Sequence, residues 1–304
     1  MRSVLPICFY PMRKIILDDD HAFSQSILLK MHGKNFTLYN SPKNALNHLL
    51  HEYQPSLTKA HLLVKDSNVA DSSTQHIINI DLKKLNKMLL QSFHQDISVL
   101  FVDYHMPEMR GTDFLKEIQH LPIKKALITG ENDYQIAIDA FNSGLVDAYL
   151  RKDDPDFSNE IQRIVSELEW KYFTELSSIF LNISDFDYLK NIHLINFFNH
   201  FIKENNVMAF CLSHIQGNFI TQNIANKQNY FLVRSKSQLN ELAKIAKEDG
   251  ASSKTIKNLN QGKAIPFFLS KEYWEVPANE WEKFLYSAIN IPDSNLVCAI
   301  VKDI

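Results

Sequence analysis

Residues able to do chemistry stand where short apolar runs end. Asp18-Asp19-Asp20 follows Lys14–Leu17, and Asp103 follows Val99–Val102. Thr129-Gly130 follows Lys125–Ile128, and Lys152 comes two residues after Ala148–Leu150. Carboxylates brought together repel one another unless a cation joins them, and an oxygen-only set favours a hard ion such as Mg²⁺. A carboxylate beside that ion can attack a phosphoryl donor and become an acyl phosphate. The transfer needs in-line positioning and neutralised equatorial oxygens, which the ion, the Lys152 ammonium and the Thr129 hydroxyl could supply. Each residue alone has a plainer reading. An Asp triplet is more often a solvated turn, a strand-end Asp can cap the next helix, and a lone Lys or Thr there means nothing. Their order, at successive strand ends, outweighs coincidence.

The elements that must position them follow from periodicity. Short apolar runs at 14–17, 36–39, 97–102, 125–128 and 148–150 read as strands, and Val99–Val102 suits one buried on both faces. Between them lie helical spacings over 21–31, from Ser41-Pro42 onward, over 112–119 and over 133–143, with Gly144 placed as a C-cap. Met106-Pro107 stops the third strand, and Gly111 offers the loop a residue tolerant of positive φ. Alternating strands and helices predict an α/β fold, a five-stranded doubly wound parallel sheet that gathers the strand-end groups at one rim. An insertion, about residues 52–95, precedes the third strand; its second part, 81–93, reads as helical. A long helix, 157–181, leads out of this domain. Beyond it, a helix over 186–203 precedes strands at 207–213, 218–224 and 230–233. Helices follow at 237–247 and 253–259, and strands at 265–269 and 295–301. This predicts a C-terminal α+β domain. The expected division is 1–172 and 173–304.

Composition narrows the partners. The 304 residues carry a net charge of −3, with 45% hydrophobic and 22% charged residues, ordinary values for a globular protein. Nothing in that charge calls for nucleic acid or an acidic membrane surface. Cys8, Cys211 and Cys298 are far apart in apolar sequence, which reads as free thiols rather than a disulfide framework or metal site. No apolar run is long enough to span a bilayer and no signal peptide is visible, so a cytoplasmic location is expected.

Over residues 12–165 the pattern resembles the receiver domain of two-component response regulators. The resemblance rests on the acidic pair after strand one, Asp103-x-x-Met-Pro with Gly111 eight residues on, Thr129-Gly130, and Tyr149-x-x-Lys152. It implies that Asp103 accepts phosphate from a sensor histidine kinase or phosphotransfer protein. It also implies that Asp19, Asp103 and the His105 backbone carbonyl ligate Mg²⁺, with Asp18 acting mainly through water. Thr129 and Tyr149 match the family's switching pair, and His105 and Glu131 flank the site where they could tune the acyl-phosphate lifetime. One departure is Asp153-Asp154-Pro155 after Lys152, where the family usually has Pro; extra acids there could weaken the hold of the lysine on phosphate. The insertion is the other. Residues 140–147 and Tyr172-Phe173 also resemble a bacterial subgroup of receivers joined to a poorly characterised C-terminal module.

That module carries no signature of its own. From Glu175 to Ile304 there are 13 Lys/Arg and 13 Asp/Glu, with no basic stripe and no helix-turn-helix, which disfavours DNA. No HExxH, P-loop or GxSxG is present, so the chain is not expected to be an enzyme. His193 and His200, seven apart, lack partners for zinc. The favoured output is a protein-interaction or homodimerisation module, with self-association through 157–181. A transcription regulator and a receiver-controlled enzyme are the alternatives.

Overall fold

The computed structural model describes residues 3–31, 35–55, 63–65, 78–80, 82, 96–130, 134–181, 184–269 and 271–302. The chain forms two compact units, and they are not cut at one point. One comprises Pro11–Asn79 and Ser92–Leu176; the other comprises Met1–Tyr10, Ile80–Gln91 and Ser177–Ile304. This differs from the contiguous division at 172. Strand β1 (Cys8–Phe9) pairs antiparallel with Val207–His214, with Cys8 opposite Cys211. The N-terminal segment is therefore part of the second unit.

In the other unit β2 (Arg13–Leu17) leads through α1 (His21–Lys30) to β3 (Phe36–Tyr39) and α2 (Pro42–Asn47), which continues as a π-helical turn over His48–Glu52. In the segment expected as an insertion, β4 (Leu63–Lys65) and β5 (Ile78–Ile80) make a separate two-stranded sheet. Most of the helix expected over 81–93 lies outside the described residues. Then come β6 (Ile97–Asp103), α3 (Gly111–Glu117), β7 (Lys124–Thr129), α4 (Tyr134–Asn142), β8 (Ala148–Arg151) and α5 (Phe157–Ser177). The sheet order is β3-β2-β6-β7-β8, parallel throughout.

Strand alternation divides the core between the two faces. Val99, Phe101, Ile16, Ala126 and Ile128 pack with Ile27 of α1 and Ile161, Ile164 and Leu168 of α5. Leu100, Val102, Ile15, Leu17 and Leu127 pack with Ala45, Phe114, Leu115, Ala137 and Ala140 from the three other helices. Both faces are covered, which is why β6 is buried along its whole length and reads as an unbroken apolar run. A buried Lys14–Glu169 ion pair at 2.6 Å ties α5 to the sheet. Helix α5 ends at Ser177, four residues earlier than its apolar pattern suggests. Strand order reverses between β2 and β6. The crevice at that point, outside the carboxyl ends, is where doubly wound sheets bind ligands.

The second unit is α+β, as expected. Its strands are β1, β9 (Val207–His214), β10 (Asn218–Asn223), β11 (Gln228–Ser235), β12 (Ala264–Pro266), β13 (Leu285–Ser287), β14 (Ile289–Asn290) and β15 (Leu296–Lys302). Six form one antiparallel sheet, β1-β9-β10-β11-β15-β14, and β12 pairs with β13. The expected helix 186–203 is broken. A 3₁₀ segment, Ser184–Lys190, stops at Asn191, whose side chain caps α6 (Ile192–Glu204) by accepting from the His193 and Leu194 amides at 3.0 Å. From α6 the Phe198 ring meets Phe210, Phe219 and Phe231 at 5.0, 5.4 and 4.8 Å. Helices α7 (Lys236–Glu248) and α8 (Ser253–Asn260) join a separate cluster with Leu232, Val297, Ala299 and Trp281.

Candidate functional site

The Asp triplet divides its work. Asp18 is buried at the end of β2 and accepts from the Asp20 amide at 2.9 Å. Asp19 is exposed. Asp20 is the N-cap of α1, its side chain accepting from the Phe23 amide at 3.0 Å. Asp103 ends β6 and is only 4% exposed. Lys152 follows β8, where its amide donates to the Thr129 carbonyl at 2.9 Å. Its ammonium bridges the acids, 2.9 Å from Asp18 Oδ2 and 3.0 Å from Asp103 Oδ2. Phe23 lies against that ammonium, 4.7 Å from nitrogen to ring centroid, a contact attractive through the ring quadrupole.

Three carboxylates face one ammonium, so two negative charges stay uncompensated. Burial raises the pKa of Asp103, repulsion from Asp18 adds to the rise, and Lys152 opposes it. Asp18 is raised for the same first reason, again against Lys152. Burial works to lower the Lys152 pKa, but its hydrogen bonds to Asp18 and Asp103 outweigh that and raise it. One oxygen from each of Asp18, Asp19 and Asp103 lies within 4.8 Å of the others. These donors are hard, anionic and short of positive charge, and so fit a small divalent cation such as Mg²⁺. Thr129 is fully buried, and its Oγ1 has no hydrogen-bond partner among the described residues. A buried hydroxyl without a partner costs about 1–3 kcal/mol, so an acceptor arriving beside it would recover that cost.

Gly111 serves the site through space rather than φ. Its φ is not positive, contrary to the expectation from sequence. A Cβ there would sit 2.3 Å from the Asp103 carbonyl oxygen, and the Gly111 amide donates to the Tyr104 carbonyl at 2.9 Å. The loop folds back onto the strand tip so closely that only glycine fits.

Tyr149 is half-buried on the sheet face that carries Thr129. It is the register partner of Leu127, two residues before Thr129, and its ring meets Phe141 edge-on at 6.3 Å. His105 is exposed beside the site, and Glu131 lies outside the described residues. The acids after Lys152 are occupied elsewhere. Asp153 pairs with Arg151 at 2.6 Å, and Asp154 accepts from the Asp156 amide at 2.8 Å in the turn before α5. Neither draws on Lys152. Arg151 beside Asp153 was the readable signal of that arrangement; nothing in the sequence signalled Phe23. In the second unit, exposed His200 pairs with Glu204 at 2.9 Å. Among the described residues the Asp18–Asp19–Asp103 set is the one group of three or more suited to hold a metal ion.

No protein-family model matches the sequence, and no curated protein matches it significantly. Solved structures do. The response regulator LqsR of Legionella pneumophila is 24% identical and superposes with a TM-score of 0.81, covering 100% of this chain and 91% of that one. A CheY-like response regulator receiver domain from Methanospirillum hungatei is 18% identical over 54% of this chain and 98% of its own, with a TM-score of 0.35. An adenylate cyclase structure from Rhodopirellula baltica is 18% identical over 55% of this chain and 92% of its own, with a TM-score of 0.37. Over its whole length, this chain has the fold of the Legionella response regulator, a five-stranded parallel unit joined to an antiparallel α+β unit.

Proposed function

We propose that the chain is a response regulator of a phosphorelay, in which Asp103 accepts a phosphoryl group from a phosphohistidine on a sensor histidine kinase or phosphotransfer protein. The observation that carries this reading is the Lys152 ammonium held between Asp18 and Asp103, at the carboxyl rim of the parallel sheet, next to a buried hydroxyl with no partner among the described residues. Mg²⁺ would be held by Asp19, Asp103 and the His105 carbonyl, with Asp18 through water, and when bound supplies positive charge opposite the phosphoryl oxygens. A carboxylate oxygen of Asp103 attacks phosphorus, the phosphorus–nitrogen bond breaks, and the electron pair stays on the ring nitrogen, which takes a proton from solvent. Lys152 then exchanges an Asp103 oxygen for a phosphoryl oxygen, and Thr129 donates its hydroxyl to another. Movement of Thr129 toward the phosphate vacates space that the Tyr149 ring can turn into, altering the surface of β7 and β8. About 1.5 to 2 added negative charges drive this, enough to bias an element whose two states differ by a few kcal/mol.

The output is a protein-interaction or dimerisation role of the second unit, whose balanced charge disfavours DNA as its partner. A cytoplasmic location fits the absence, among the described residues, of any helix long and apolar enough to cross a membrane. The test is phosphorylation by acetyl phosphate with Mg²⁺, read by intact mass and sedimentation. Wild type gains one phosphate and Asp103→Asn gains none; no gain on wild type would sink the reading.

A further inference from the structure

Among the described residues, the second unit buries a cation with no carboxylate partner. Arg234, near the end of β11, is 4% exposed. Its guanidinium donates to neutral acceptors, with Nη1 to the Gln216 and Val233 carbonyls at 2.8 and 2.7 Å and Nη2 to Asn218 Oδ1 at 2.7 Å. Its Nε is buried without a partner, and among the described residues no carboxylate pairs with it. Guanidinium offers five N–H donors, so three are engaged and two remain. A buried charge is normally paired, because leaving it unpaired costs several kcal/mol.

The β9–β10 turn is shaped to this arginine. Gly217 has φ +98°, and a Cβ there would lie 2.8 Å from the Val233 carbonyl oxygen. The Val233 amide donates to the Gly217 carbonyl at 2.8 Å, so the turn closes onto β11 and delivers the Gln216 carbonyl to Arg234.

Arg234 lines a cleft together with His214, Lys271, Glu272, Phe268 and Tyr273. His214 Nδ1 accepts from the Gln216 amide at 3.2 Å, so a neutral ring carries its proton on Nε2 and is a donor there. Burial lowers the His214 pKa, Glu272 opposes the fall and Arg234 adds to it. The Glu272 carboxylate also faces the cleft, its Oε1 3.9 Å from His214 Nε2, while its amide donates to the Glu275 carboxylate at 2.7 Å. The formal charges of Arg234, Lys271 and Glu272 in the lining sum to plus one. Phe268 and Tyr273 give the cleft an aromatic wall.

We infer that this cleft binds a small organic monoanion, a carboxylate carrying an apolar or aromatic group, whose oxygens meet Arg234 and Lys271 while its body lies against Phe268 and Tyr273. The single net positive charge favours a monoanion over a phosphate dianion. The cleft is lined by residues of the second unit alone.

The test titrates benzoate, octanoate and inorganic phosphate separately into the full chain, followed by nuclear magnetic resonance of labelled tyrosine and phenylalanine. Benzoate or octanoate is expected to shift the cleft signals saturably. Lys271 is exposed, so Lys271→Gln should stay folded and weaken binding about threefold, while Arg234→Lys, which keeps charge but loses the planar fork, weakens it about tenfold or more. If Arg234→Lys fails to fold, Leu242→Trp, which adds bulk to the cleft lining, is expected to block binding instead. Phosphate binding in place of both carboxylates would overturn the monoanion assignment. No saturable shift with any probe at about 10 mM, a weak-binding concentration corresponding to less than 3 kcal/mol, or binding indifferent to Lys271→Gln, would overturn the site.

Discussion

Lys152 is partly buried and Arg234 almost wholly so, and the two units treat them in opposite ways. Lys152 stands between two buried carboxylates in a site with surplus negative charge. Arg234 is held by carbonyl and amide oxygens in a cleft with surplus positive charge. The first arrangement suits a metal ion and a phosphoryl group arriving together; the second suits a single anion. Neutral acceptors satisfy the geometry of a guanidinium but leave its charge, so the second unit holds its cation at a cost that a ligand could repay.

The largest expected effect is on chemistry. Asp103→Asn should abolish phosphoryl uptake, seen by intact mass, and leave carboxylate binding at the Arg234 cleft unchanged. Loss of both would show that the two sites are not independent. Next comes Gly111→Ala, whose methyl would meet the Asp103 carbonyl at 2.3 Å. Overpacking against backbone should cost about 2–3 kcal/mol, measured by urea unfolding.

Removing each cation sharpens the contrast. Lys152→Met should destabilise the protein by about 1–3 kcal/mol in chelator, by leaving buried carboxylates unpaired, and Mg²⁺ should restore more stability to this variant than to wild type. Arg234→Met should cost about 1–3 kcal/mol through three unpaired acceptors, with no rescue by Mg²⁺. Equal Mg²⁺ responses in the two variants would break the comparison.

A pH series probes the acidic site further. Asp18 and Asp103 have folded pKa values raised above the ordinary carboxylate range, first through burial. The folded state therefore binds protons more readily than the unfolded chain just above about pH 4, and these groups lose stability as pH rises through the raised values. Asp18→Asn should flatten that fall in urea midpoints, and calorimetry should find Mg²⁺ binding tighter as pH rises through the same window. An unchanged slope in Asp18→Asn would remove Asp18 from the coupled set.

The smallest effect concerns caps. Ser235 makes a full capping box with Gln238, so Ser235→Ala should cost about 1 kcal/mol. Ser41 occupies an N-cap without a side-chain cap bond, and its hydroxyl reaches the Glu108 carboxylate at 3.3 Å instead. Ser41→Ala should cost less than about 0.5 kcal/mol by thermal denaturation.

Sequence by itself determined the parallel unit to within a residue or two at most strands. Strands buried on both faces announce themselves as apolar runs, and Asp18, Asp103, Thr129 and Lys152 stand directly beyond four of them. Those signals are local, and the doubly wound topology converts them into one rim. Tertiary structure decided what depends on close approach between distant segments. Cys8–Phe9 joins a sheet whose neighbouring strand begins at Val207, and a two-residue strand carries no periodicity to read. Gly111 is required by the Asp103 carbonyl and not by its own torsion. Arg234 looks in sequence like one basic residue at the end of an apolar strand; only the closure of the Gln216-Gly217 turn onto β11 shows it buried without a counter-charge. Periodicity reports which face of an element is covered. It does not report which partner covers it, and in the second unit the chemistry lies in the partner.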